Sequence, residues 1–385
     1  MRLLRHLEMW LAAAIITAAA AEESCTSFTR VGAATLATPP RVRGRPALPD
    51  THHAWMPDAV RAPGPDFPAV FRYAAPEGEG GGDAAAAGAA LRRLVDGGAH
   101  GALVAKGLPV GRDPAAFSAL MAATGLPLRR YVGGVTSRSE VAPYVGVISE
   151  ERADLSMEPH QDNPYWASPP THLAIFVARP PASGGQALLS DARAVLRTLN
   201  ATRPALVARL ADSGVRYEKY YPPGAAADGG ITTWNDAFGA DRAAAEVALA
   251  DLLGGFEWLE DGGLRTWEVA PAIRDASPGE EPTFFAMMTA MHCSVFDDHP
   301  DYLELNRSPT DAPCAMRGRM PYHTRFGDGA EFAVEDVRAA RRAQWAHAVS
   351  FDYEAGDVLI VDNYRTMHGR FSFEPPRDLY ITMVG

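Results

Sequence analysis

Glu158-Pro159-His160-Gln161-Asp162-Asn163-Pro164-Tyr165 is the stretch from which the rest of the chain can be read. On an extended strand, residues two apart point to the same face, so His160 and Asp162 would present an imidazole and a carboxylate side by side. Near the other end, Gly356-Asp357-Val358-Leu359-Ile360-Val361-Asp362-Asn363 reads as a turn feeding a buried strand. A short loop after it delivers His368 in the run Met367-His368-Gly369-Arg370. If the two strands are neighbours, two imidazoles and one carboxylate meet at a single point.

Two His and one carboxylate on one face of an ion leave the opposite coordination positions open. Non-haem Fe(II) oxygenases use that arrangement to admit a cosubstrate and O2. The same donors suit Zn²⁺ in a hydrolase, a reading that leaves Arg377 without a task. Arg377 would sit at the base of the last strand, where its planar fork could grip a carboxylate; Arg370 is a second cationic candidate. Asn163, Tyr165 and Trp166 follow the carboxylate and are candidates for a substrate wall, as are Tyr131 and Arg138 around Gly133-Gly134, although aromatic residues near a strand end more often simply pack. The other histidines show no ligand spacing and read as surface or hydrogen-bonded core residues.

Working outward, Leu173 to Ala178 is a continuous apolar run between Pro169-Pro170 and Pro180-Pro181, as a buried strand requires. Ala102 to Ala105 and Leu379 to Val384 read as further strands. Helices are expected over Ala89–Val95, from Asp113-Pro114 to Ala123, over Ser190–Leu210 with a break at Pro204, and over Arg242–Leu253. No internal repeat and no Gly-rich nucleotide fingerprint is present. Residues 22–90 are rich in Pro, Gly and Ala and read as an arm and linker.

Composition narrows the partners. With 36 basic against 47 acidic residues, the net charge of −11 lacks the basic excess that a phosphate backbone demands, so nucleic acid is not an expected partner. A content of 47% hydrophobic and 22% charged residues is that of a globular chain. The amino terminus carries Arg2, Arg5 and His6, then an apolar stretch from Trp10 to Ala21. It reads as a cleavable signal peptide over residues 1–21, directing the chain to the secretory pathway or outside the cell, with an organelle transit peptide as the alternative. The stretch is short for a membrane span. Three cysteines match no zinc spacing and allow at most one bridge, between Cys293 and Cys314.

An ordered set of motifs in this chain resembles the TauD/TfdA family of Fe(II)/2-oxoglutarate-dependent dioxygenases, in its clavaminate-synthase-like branch. The set comprises His160-Gln161-Asp162, Pro169-Pro170, Ser183-Gly184-Gly185 and Phe326-Gly327-Asp328-Gly329. It continues through Gly356-Asp357-Val358, Asp362-Asn363, His368-Gly369-Arg370 and Pro375-Pro376-Arg377. The resemblance covers residues 91–385 and implies an α+β fold: a double-stranded β-helix, or jelly roll, core with flanking and inserted helices. It implies Fe(II) on His160, Asp162 and His368, 2-oxoglutarate as cosubstrate with its far carboxylate on Arg377, O2 as oxidant, and hydroxylation of a small molecule with release of succinate and CO2.

Departures from the family pattern bear on chemistry. A threonine that supports the cosubstrate carboxylate in the family falls at Ala187, leaving Ser190 or Arg370 as replacements, and motivating the alternative of a non-catalytic binding protein on the same scaffold. The second arginine that binds sulfonate in taurine-oxidising members falls at Ile381. Family halogenases place a small residue where this chain has Asp162.

Overall fold

Val358–Asp362 is the hub of the main sheet. It pairs antiparallel with His172–Arg179 on one side and with Ala102–Lys106 on the other. All three are buried along nearly their whole length, which is why they read as apolar runs without alternation. The final strand, Asp378–Val384, extends this nine-stranded sheet beyond His172–Arg179. These relations come from a computed structural model. It describes residues 27–37, 60–75, 83–131, 138–149, 151–224, 232–239, 241–250, 254–276, 279–296 and 320–385. Residues 1–21, with the expected signal peptide, lie outside that set. Among the described residues no helix is long and apolar enough to cross a membrane.

A second sheet has four strands in the order Ala348–Phe351, Ala187–Asp191, Thr366–Arg370, Met157–His160. Ile175, Val177, Leu359, Val361 and Ile381 of the large sheet share one core with Ala187, Leu189, Val349 and Phe351 of the small one. The two sheets are therefore packed against each other, and the helices lie outside this core, which makes the fold α+β. Each buried Leu, Ile or Val contributes roughly 1.5–3 kcal/mol to holding the sheets together.

A third sheet, ordered Gly255–Trp258, Leu264–Ala270, Val215–Tyr221, Tyr322–Phe326, packs with helices Ala192–Thr202, Pro204–Ser213 and Val334–Ala346 around its own core. Pro204 divides the first two helices as expected, since it can open a helix but not continue one. Asp191 starts the first by accepting from the main-chain N–H groups of Arg193 and Ala194. Helices over Ala84–Asp96 and Pro114–Ala123 cover the far face of the large sheet through Leu91, Phe117 and Phe176. The expected helix from Arg242 runs to Leu249, and residues 251–253 lie outside the described set.

The reading of residues 22–90 as arm and linker is corrected in part. Phe28–Ala33 and Ala69–Tyr73 are strands of the large sheet, the second running parallel to Ala102–Lys106. Val70, Phe71 and Tyr73 bury their side chains in its cores, and that gain outweighs a composition that otherwise favours loose chain. Cys293 is disulfide-bonded; Cys314, its expected partner, lies outside the described residues.

Candidate active site

His160 and His368 stand directly opposite each other in the antiparallel pair formed by Met157–His160 and Thr366–Arg370. Their ring centroids are 4.5 Å apart. The expected loop delivering His368 is instead a strand, and this places the two imidazoles more firmly than a loop could. Register slips between His368 and Arg370, where Met157 faces Arg370, so the early strand carries one extra residue. Gly369 permits this close approach: a Cβ there would lie 2.6 Å from the carbonyl oxygen of Met157.

Asp162 lies just beyond the end of its strand and is held from the other sheet. Asn363 accepts from the Asp162 main-chain N–H at 2.8 Å and donates through its own amide to the carbonyl oxygens of Asp162 at 3.0 Å and Pro170 at 2.9 Å. One buried side chain thus pins the carboxylate-bearing turn. Asp162 Oδ1 stands 3.7 Å from His160 Nε2 and 3.9 Å from His368 Nε2. One donor atom from each of the three buried groups lies within 4.8 Å of the others.

The protonation states suit a metal. Burial alone would raise the Asp162 pKa, but the Arg138 guanidinium, His368 and His160 together hold it down to about 2. Burial, helped by neighbouring His160, pushes His368 down to about 3 and keeps it neutral. His160 Nδ1 lies 2.7 Å from the Glu158 carbonyl oxygen. A proton on Nδ1 donated to that oxygen leaves the Nε2 lone pair facing Asp162. Glu158 in turn is fixed by a buried ion pair with Arg341 at 3.0 Å.

Arg377 lines a narrow cavity with His160, His368, Tyr353 and Ser149. Its Nε is buried and unpartnered, and no carboxylate pairs with it among the described residues. Burial lowers its pKa, while Tyr353 favours the charged form. Arg370 borders the same cavity and shares the Phe373 ring with Arg377. Its terminal nitrogens, however, donate to the carbonyl oxygens of Leu155, Glu151 and Arg152 at 2.9, 3.1 and 2.8 Å. Arg370 therefore braces that turn against the sheet and does not offer the cavity a free fork. Ser190, the other expected replacement for the hydroxyl missing at Ala187, donates to the Gln344 carbonyl oxygen at 2.7 Å. The hydroxyls that do border the cavity are Tyr353 and Ser149.

A larger cavity, with about 880 Å³ of empty space, opens on the other side of His160 and Asp162. Of the expected wall residues, Tyr131, Arg138, Asn163 and Tyr165 border it, whereas Trp166 packs into the cores. Met287, Met291, Val295, Phe296 and Tyr322 complete an apolar side.

The model of the "Taurine catabolism dioxygenase TauD, TfdA family" matches residues 75–383. The chain belongs to this family. Among relatives of this TauD/TfdA-family protein, the clavaminate synthase-like protein At3g21360 of Arabidopsis thaliana is 26% identical over 283 residues, covering 72% of this chain and 79% of the relative. The dapdiamide synthesis protein DdaC of Enterobacter agglomerans is 25% identical over 288 residues, covering 74% and 82%. A solved structure of asparagine oxygenase in complex with Fe(II), 3-hydroxyasparagine and succinate superposes with a TM-score of 0.46 at 18% identity, covering 78% of this chain and 83% of that one. As a member of the TauD/TfdA family, the protein is an Fe(II)- and 2-oxoglutarate-dependent dioxygenase.

Sequence reasoning assigned no role to Asn363, although the residue stood inside a motif it used, and none to Tyr353 or the Glu158–Arg341 pair. The Asp362-Asn363 motif was the signal that could have found the first. The pair joins residues far apart in the chain and left no local pattern.

Proposed function

We propose that the protein hydroxylates a C–H bond of a small molecule, with Fe(II) on His160, Asp162 and His368 and the far carboxylate of 2-oxoglutarate on Arg377. The observation that carries this reading is one cavity holding both imidazoles and a partly buried guanidinium with no carboxylate partner among the described residues. An uncompensated buried cation is costly, and a dicarboxylate cosubstrate would relieve it. We read the two facing sheets as the double-stranded β-helix that the family resemblance implies.

The donor set fits ferrous iron: two imidazoles and one ionised carboxylate on one side, with open space on the other. Bound there, the ion with 2-oxoglutarate and O2 supplies an oxidation in which the cosubstrate leaves as succinate and CO2 and oxygen enters the substrate. The remaining work belongs to the chain. Glu158, through its carbonyl, sets the tautomer of His160, and Asn363 sets the position of Asp162. Arg377, with Tyr353 beside it, orients the cosubstrate in a narrow space. The Met287, Met291 and Phe296 side of the larger cavity keeps water from the reacting C–H bond. Ile381, in place of the family's sulfonate-binding arginine, argues for a substrate other than taurine. The apolar stretch Trp10–Ala21 supports delivery to the secretory pathway as part of the same proposal.

The test is purified protein incubated with Fe(II), ascorbate and 2-oxoglutarate. Slow O2-dependent formation of succinate without any added substrate is the expected result. Iron bound in equal proportion to protein, with no succinate formed, would contradict the proposal.

A further inference from the structure

Arg138 is buried beside the three donor groups, and the expected iron set does not account for it. Its Nη2 lies 2.9 Å from Asp162 Oδ2, and both side chains are only 7% exposed. This contact uses the carboxylate oxygen turned away from the two histidines. The guanidinium rests on the Tyr131 ring, 4.4 Å from its centroid. Its Nε and Nη1 are buried and have no hydrogen-bond partner among the described residues. Arg138 borders both cavities, so it stands where the cosubstrate space meets the larger one.

Two consequences follow from elementary electrostatics. Unpartnered N–H donors on a buried guanidinium cost free energy until something accepts from them. Iron at the site would draw on the same Asp162 charge that now balances Arg138, and the guanidinium would be left more poorly compensated. The other carboxylates on the large cavity are engaged elsewhere: Glu158 pairs with Arg341, and the charge of Glu151 bears on Arg370. Across the cavity stand Met287, Met291, Val295 and Phe296, an apolar surface suited to a hydrocarbon segment.

We propose that Arg138 binds a carboxylate of the substrate, whose hydrocarbon part lies along Met287, Met291 and Phe296 with its C–H bond turned to the site between His160 and Asp162. This inference rests on the Fe(II)/2-oxoglutarate reading and names the substrate class for it. A carboxylate suits the free N–H donors through charge-assisted hydrogen bonds, and it places the acid group at the edge of the metal site. The substrate is therefore an aliphatic acid of modest size.

The test is calorimetric titration of hexanoate and hexanamide into anaerobic protein loaded with Fe(II) and 2-oxoglutarate. The visible charge-transfer absorption of the iron–cosubstrate chelate is recorded first. Hexanoate should bind at least about tenfold more tightly than hexanamide, because only the acid offers the charged acceptor. Arg138→Gln should erase that preference, and Arg138→Lys should keep part of it. Equal binding of acid and amide, or no binding of either, contradicts the inference while leaving the iron reading intact. So does Arg138→Gln binding hexanoate as the wild type does but holding iron less tightly, which would make Arg138 a positioning residue for Asp162 alone. Absence of the visible absorption in the wild type removes the iron reading itself, and this inference with it.

Discussion

The two cavities that meet at His160 are built in different ways. The smaller one is walled by strands: His160, His368, Leu188, Leu189, Leu359 and Gly369 come from the two facing sheets, with Arg377 at the foot of the last strand. The larger one draws on segments between strands, among them Tyr131, Arg138, Met287, Ala290 and Met291. A sheet fixes side-chain direction by its period of two and by cross-strand register, so chemistry that must be held in place belongs there. Segments between strands can change without disturbing a core, so specificity belongs in them. The same division separates what the sequence reveals of this site from what it conceals.

The sharpest way to break the comparison is to remove a donor from the strand-built side. His368→Ala and Asp162→Ala should leave the circular dichroism spectrum unchanged and bring succinate formation below detection. Appreciable turnover in either variant would remove the corresponding residue from the metal site.

Next in size is the contrast between two arginines that share one phenylalanine ring. Arg377→Met should raise the KM for 2-oxoglutarate by about 100-fold, the loss expected for a buried charge-assisted contact. Arg370→Met should leave three carbonyl oxygens without a donor and lower stability by about 3 kcal/mol, read by urea denaturation, with a much smaller change in KM. If the two variants exchanged these phenotypes, the assignment of roles would be reversed.

Asn363→Ala carries the next largest effect. Losing the amide that pins the Asp162 turn should weaken iron binding by about 10–100-fold without changing the ligands themselves, as measured by competition with a chelator. Unaltered iron affinity would mean that the turn holds its shape without Asn363.

The smallest expected effect on iron and cosubstrate binding concerns Arg341, whose loss is felt in stability instead. Arg341→Met should destabilise the fold by about 3–5 kcal/mol because Glu158 is left buried and unpaired. The double variant Arg341→Met with Glu158→Gln should recover most of that loss and bind 2-oxoglutarate nearly as the wild type does. Failure of the second change to restore stability would show that Arg341 matters through its other contacts, with Ser294 and the Thr289 carbonyl oxygen.

Much of the strand-built side was legible. His160, Asp162, His368 and Arg377 were singled out by their order in a set of motifs that resembles a known family, although Asp162 lies past the end of its strand and His368 was expected on a loop. Apolar runs located the central strands, and Pro204 located the helix break. The arm was misread where composition outvoted pattern: Val70, Phe71 and Tyr73 sit on a short strand embedded in Pro- and Gly-rich surroundings. The strand that carries His368 was hidden for another reason. Thr366–Arg370 has too few apolar residues to announce itself, and its pairing with Ala187–Asp191 and Met157–His160 is what makes it a strand. Arg370 and Ser190 offered plausible chemistry in sequence, yet their hydrogen bonds to main-chain carbonyls are set by tertiary contacts that no local pattern encodes.

The central claim is that His160, Asp162 and His368 hold a single ferrous ion, and it is tested most directly by a crystal structure of the iron-loaded protein using anomalous scattering at the iron edge. The account predicts one peak per chain, bounded by Nε2 of both histidines and Oδ1 of Asp162. A peak elsewhere, or none between these atoms at full iron loading, would contradict it.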